Sequence, residues 1–380
     1  MQRRQLLTLS ARSAVVTATA LSPMPALAAP SPPRFLHVGT YAPAGQGIYR
    51  FAIGADGSLR PLGVTPNPGS PSWLLADAAR QLVYAAEEGA HHVAVYAHAQ
   101  GDLTLQQREP SGGHGPCQLS LGAGRLWVAH YADARFAALA VQADGRLAAA
   151  DGWPSCAGDD CRPGPRHAVA APPGSLADSG HDAPHAHMLR TSPDDRWLIG
   201  TDLGRDRLLA WPLAGFTPGA AAHELALSAG SGPRHFVFHP ADASLVYVLQ
   251  EESSTLSTVA LTPAGPRLLS EVSVLPAGFV GTSYASDLLL APGGRHLYAL
   301  NRLHDSLAVL SLAQPRRPRL LDHHWVRGSY PRSAGMAGTH LYVCNQRSDQ
   351  LTHFNLSRPA APRYTGRQTA VPSPAGACAL

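Results

Sequence analysis

A strand phrase that returns seven times constrains this chain more than any other feature. It is clearest in Gly294-Arg295-His296-Leu297-Tyr298-Ala299 and in Gly338-Thr339-His340-Leu341-Tyr342-Val343. Aligned on its apolar pair, the phrase places equivalent residues at His37, Tyr84, Trp127, Ile199, Tyr247, Tyr298 and Tyr342. Most of these lie about 43 to 51 residues apart, the length of one four-stranded propeller blade. The step from Trp127 to Ile199 is longer and implies an insertion at about 151–182, where Pro, Gly, Ala and Ser follow no periodicity. The expectation is an all-β, seven-bladed propeller.

Seven further segments read as the innermost strands. They begin near Ser70, Gly115, Ala183, Gly232, Ser283, Tyr330 and Pro374. The last of these ends the chain, while the first phrase, Phe35 to Tyr41, has no inner strand of its own. Pairing the two would close the ring and remove its open edges. With 45% hydrophobic and 15% charged residues, the chain has ample apolar surface for cores between blades.

All 30 basic residues are arginine, which rules out Schiff-base and P-loop lysine chemistry. The arginines are scattered, apart from Arg3-Arg4 and Arg316-Arg317, so the chain carries no nucleic-acid footprint. Residues 1–28 read as a twin-arginine export signal: paired arginines, an apolar run from Ala14 to Leu21, and the small-residue site Ala26-Leu27-Ala28. That run is too short to span a bilayer. The expected mature chain is therefore 29–380, a periplasmic or secreted monomer with no membrane span. In that compartment Cys156 and Cys161 are the natural disulfide pair, while Cys117, Cys344 and Cys378 read as buried apolar residues. The pairs His91-His92 and His323-His324 fall in turn-like contexts and read as exposed.

Inner strands line a propeller's channel, so polar residues at their starts face a ligand. His185, Arg234, Asp287 and Arg332 begin successive inner strands; Glu88, Asp202, Glu251, Arg302 and Gln346 end second strands. Together they suit an anionic or carbonyl substrate. Structural roles stand beside this reading. Arg234 could pair with Asp202 or Asp287 between blades, Glu251 could cap a loop, and His185 could be a satisfied channel histidine. His185 and His187 share a strand face, which permits a His-x-His metal site, but no carboxylate spacing completes a ligand set, so no metal or cofactor is expected.

These phrases resemble the seven-bladed lactonases, typified by the propeller type of 6-phosphogluconolactonase and by carboxymuconate-lactonizing enzyme. The resemblance rests on Gly39-Thr40-Tyr41 with Gly47-Ile48-Tyr49, Gly115-Pro116-Cys117, Pro184-His185, Asp202-Leu203-Gly204 with Asp206-Arg207, Gly232-Pro233-Arg234-His235 with Phe238-His239-Pro240, Glu251 before Ser253-Ser254-Thr255, and Asn301-Arg302. It implies a small-molecule lactone substrate and catalytic roles for His185, Arg234, Glu251 and Arg302; Asp287, Arg332, Asp202 and Glu88 are expected to bind substrate from their positions at the strand starts and ends alone. Glu87, His130 and Gln250 stand where the family usually has asparagine, which bears on substrate identity. Besides hydrolysis of a sugar lactone, such a site would serve a lactonizing cyclase on a muconate-type substrate, and the fold alone would serve a non-catalytic binding module.

Overall fold

The computed structural model describes residues 34–178 and 180–380. The export signal expected at 1–28 lies outside them. Seven sheets of four antiparallel strands follow one another along the chain, each running from an innermost to an outermost strand. The innermost strands are Pro71–Asp77, Pro116–Gly122, Ala186–Thr191, Pro233–His239, Tyr284–Leu290, Pro331–Ala337 and Pro374–Ala379. The last of them pairs with Phe35–Thr40, Gly39 opposite Gly376, so blade 1 is built from both ends of the chain. The ring closes as the repeat demands.

The repeated phrase forms the second strand of each blade, and all seven aligned residues are fully buried. Seven apolar clusters lie between neighbouring blades. The aromatic of the phrase adds a directional link. Tyr84, Tyr247, Tyr298 and Tyr342 each donate a hydroxyl proton to a carbonyl in the next blade, at Gly145, Pro315, Pro359 and Gly57 respectively, over 2.8–2.9 Å. A phenol suits this position because its ring packs in the core while its hydroxyl reaches a turn that would otherwise leave a carbonyl unmet.

The insertion is shorter than its composition suggests, because Asp151–Pro154 forms the outermost strand of blade 3. Beyond it the chain becomes a strap across blades 4 to 6. The Gly164 and Val169 amides donate to the carbonyls of Gly204 and Ala229, and the Gly281 amide donates back to Pro173. His181 Nε2 meets Asp206 at 3.0 Å, and the Gly180 amide donates to Glu252. Cys156 and Cys161 are bonded at the root of the strap, with Cα atoms 5.3 Å apart. Cys117 and Cys344 are buried and Cys378 half-buried. His91 is exposed, but His92 is half-buried within the strand His92–Ala99, and His323 and His324 are half-buried within the strand Arg319–Trp325 rather than in a turn.

Candidate active site

Two positions of the repeat build the site. The first is a β-bulge near the start of each innermost strand. Pro71 pairs with Glu87, Pro116 with His130, Ala186 with Asp202, Pro233 with Gln250, Ala285 with Asn301 and Pro331 with Asn345, and after each pair the register slips. The extra residues are Ser72, Cys117, His187, Arg234, Ser286 with Asp287, and Arg332. Blade 1 shows the same slip at Ala375. A bulge breaks the alternation of side chains and re-aims one of them. The second position is the residue just beyond each paired partner: Tyr41, Glu88, Tyr131, Leu203, Glu251, Arg302 and Gln346.

A cavity of about 300 Å³ is lined by ten residues, all drawn from these two rings: Cys117, His187, Arg234 and Arg332 from the bulges, and Tyr41, Glu88, Tyr131, Glu251, Arg302 and Gln346 from the strand ends. Blade 4 contributes no strand-end residue, because Leu203 is fully buried under the strap; a Cβ added at Gly180 would sit 2.2 Å from its Cδ2.

Glu251 is clamped between two arginines. Its Oε2 lies 2.6 Å from Arg234 Nη1 and its Oε1 2.7 Å from Arg302 Nη2. Burial alone would raise this carboxyl, but the charges and hydrogen bonds of Arg302 and Arg234 outweigh it and hold Glu251 well below the usual carboxylate range. Every nitrogen of Arg302 is engaged: Nε with the Tyr284 carbonyl, Nη1 with the Tyr330 hydroxyl, Nη2 with the Ala285 carbonyl and Glu251. Arg234 also gives Nε to the Ser286 carbonyl at 2.6 Å, but its Nη2 has no protein partner among the described residues. Arg332 is bonded through Nη2 to the Tyr41 hydroxyl, which donates to Glu88 at 2.7 Å. Its Nη1 and Nε are free of protein partners in the described structure.

His187 is 3% exposed and neutral. Burial first, then Arg234, His235, Arg332 and Arg302, push its imidazolium well below the ordinary value. Burial pushes the Cys117 thiol up to about 12, so it is no nucleophile at neutral pH.

The structure therefore brings together Glu88, Arg234, Glu251, Arg302, Arg332 and Gln346 of the residues expected from sequence. It places three others behind the wall. His185 is stacked on Tyr131 with centroids 4.1 Å apart, and its ring nitrogens meet the Tyr131 carbonyl at 2.8 Å and Asp182 at 2.9 Å. Asp202, fully buried, accepts from the Ser155 hydroxyl at 2.6 Å and the His185 amide at 2.9 Å. Asp287 holds His235 Nδ1 at 2.8 Å. Neither aspartate pairs with Arg234. Sequence reading weighed His187 only as half of a metal site and passed over Tyr41, Tyr131 and Cys117 as site residues. The available signal was register: in blades 3, 5 and 7 the lining bulge residue follows a proline, whereas in blade 4 that proline lies two residues early, at Pro184, and points to the wrong histidine.

A second, larger cavity of about 490 Å³ lies at the rim of blades 3 and 4 near Trp153, Trp211 and Glu224. Its one glutamate is already held by Arg205 and Arg207, so it gathers no comparable chemistry. Among the described residues no group of three or more His, Cys, Asp or Glu is arranged to hold a metal ion, and no helix is long and apolar enough to cross a membrane.

Residues 35–378 match a family model described as lactonase, 7-bladed beta-propeller. The 6-phosphogluconolactonase of Bacillus subtilis (strain 168) is 28% identical over 289 residues, covering 73% of this chain and 77% of that protein. Among solved structures, the periplasmic gluconolactonase of Pseudomonas aeruginosa is similar with a TM-score of 0.77 at 27% identity, covering 91% of this chain and 98% of that one. A Lactobacillus plantarum protein shares the fold, with a TM-score of 0.79 at 21% identity over 92% of this chain and 99% of that one.

Proposed function

The chain belongs to the seven-bladed β-propeller lactonase family, and we propose that it hydrolyses a sugar lactone of the gluconolactone type to the open-chain acid. The observation that carries this reading is the convergence of a neutral histidine, His187, with two guanidiniums that keep unbonded N–H groups, Arg234 and Arg332, in one cavity.

Opening a lactone requires an activated water, donors for the carbonyl oxygen as it becomes an oxyanion, and a proton for the departing ring oxygen. Glu251 is a poor base, since the arginines that stabilise its charge weaken its hold on a proton. Its role is to fix and half-neutralise Arg234 and Arg302. His187 is the water-activating base and returns the proton to the ring oxygen. Arg234 Nη2 supplies the oxyanion donor, backed by Arg332. As negative charge develops on the substrate oxygen held by these arginines, it offsets the repulsion that holds His187 low, so the basicity of His187 rises as the reaction needs it.

The lining carries Arg234, Arg302 and Arg332 against Glu251 and Glu88, one positive charge in excess with His187 neutral. That excess suits a lactone with hydroxyl groups or one anionic substituent. Export through the twin-arginine route would place the enzyme in the periplasm or outside the cell, where phosphorylated sugars are not expected, so unphosphorylated gluconolactone is the preferred substrate. Residues 29–380 assayed on gluconolactone and 6-phosphogluconolactone test this directly. Turnover of gluconolactone, lost in His187→Gln and in Arg234→Ala, is the expected result; turnover confined to the phosphorylated lactone would overturn the substrate assignment.

A further inference from the structure

Behind His187 lies a second buried histidine with its own carboxylate. His235 is 4% exposed, and its Nδ1 meets Asp287 Oδ1 at 2.8 Å. Asp287 is fixed in turn: Oδ1 accepts the Leu288 amide at 2.9 Å and Oδ2 the Ala334 amide at 3.1 Å. A carboxylate only accepts here, so the His235 proton sits on Nδ1 and the lone pair on Nε2. The His187 and His235 rings are 5.1 Å apart, inclined at 65°. His235 Nε2 and His187 Nδ1 are both buried without a hydrogen-bond partner. Two unpartnered buried nitrogens on adjoining rings are a costly pair to leave open, and histidine χ2 is a soft torsion.

We propose that His235 and Asp287 are positioning residues for His187: His187 Nδ1–H donates to His235 Nε2 once the rings turn toward each other, leaving His187 Nε2 as the base in the cavity. The inference rests on the reading of His187 as the water-activating base. In the step, a water O–H bond breaks as its oxygen bonds the carbonyl carbon. The proton goes to His187 Nε2, and the carbonyl π electrons move onto oxygen. Collapse then breaks the bond to the ring oxygen, which takes the proton from Nε2. During this cycle His187 becomes an imidazolium facing Arg234, Arg332, Arg302, His235 and the edge of Tyr131. Glu251 is committed to Arg234 and Arg302, and Glu88 to Tyr41. Asp287, acting through His235, is the carboxylate left to stabilise that cation.

Asp287→Asn and His235→Gln test the pairing, with kcat, KM, pH profile and thermal unfolding measured together. Asparagine at 287 can donate to His235 Nδ1, which moves the ring proton to Nε2 and removes the acceptor. The expected result in both variants is a fall in kcat of about tenfold or more with KM little changed. In Asp287→Asn the acid limb of kcat/KM should also move to lower pH, because His187 loses a stabilising negative charge. Folded variants with wild-type kcat, or a loss of activity that tracks the unfolded fraction with an unmoved pH profile, would overturn the pairing. If His187→Gln is inactive while both variants match wild type, the pairing alone fails; full activity in His187→Gln removes the base and the pairing together.

Discussion

His187 and Arg234 are the same residue of successive blades. Each is the extra residue of the bulge in its innermost strand, following Ala186 in one case and Pro233 in the other, and both line the cavity. His185 sits two residues before that position, bonded to Tyr131 and Asp182. Substituting the two histidines separately should therefore give unequal results. His187→Gln should lower kcat by about 100-fold or more, the scale of a lost general base. His185→Gln should leave kcat within about tenfold of wild type, acting only through the placement of Tyr131. Comparable losses in both would show that the bulge does not select the base.

The clamp on Glu251 makes a prediction about stability. Removing the carboxylate charge leaves Arg234 and Arg302 buried and mutually repulsive, so Glu251→Gln should destabilise the fold by about 3 to 5 kcal/mol. Because its folded value is depressed, this carboxylate contributes stability that is complete above its ordinary value of 4.5 and is lost as pH falls below it. Denaturant titrations across the acid range should show wild type losing stability there more steeply than the variant.

A third prediction concerns pH and catalysis. His187 is held low by burial and by three arginines, so the acid limb of kcat/KM, which reports the free enzyme, should lie well below pH 6.5. The acid limb of kcat should lie higher, since bound substrate offsets part of the arginine charge, and higher still for an anionic lactone. Coincident limbs would show that the arginines do not tune the base.

The tyrosine links between blades are separable from the chemistry. Tyr298→Phe removes one hydrogen bond, to the Pro359 carbonyl at 2.8 Å, and should cost about 1 kcal/mol in unfolding experiments while leaving turnover unchanged.

Much of this architecture was legible in the sequence because one blade must bury the same side chains seven times. The phrase carrying Tyr84, Tyr247, Tyr298 and Tyr342 marks the second strands, and the return of Phe35–Thr40 to the last strand follows from counting inner strands. Arg234, Arg332, Glu251, Arg302 and Glu88 were found for the same reason, each standing at a repeated position. The failures fall where local register departs from the repeat. Pro184-His185 imitates Pro233-Arg234, but the strand pairs at Ala186, so the bulge presents His187. Asp202 ends its strand at the position of Gln250 and Asn345, which tie down their own blades; the site position is one residue on, and there Leu203 is covered by the strap. Asp287 shares a bulge with Ser286 and turns to His235. A residue count cannot see these offsets, since a one-residue slip exchanges the two faces of a strand.

The central claim is that His187, raised into a ring of arginines by a bulge, activates water against a lactone carbonyl. The most direct measurement is the hydrolysis rate of gluconolactone by wild type and His187→Gln, each corrected for spontaneous opening and each verified as folded. Wild-type turnover that falls by about 100-fold or more in the variant, with KM nearly constant, is the result this account predicts. Undiminished turnover in folded His187→Gln would contradict it.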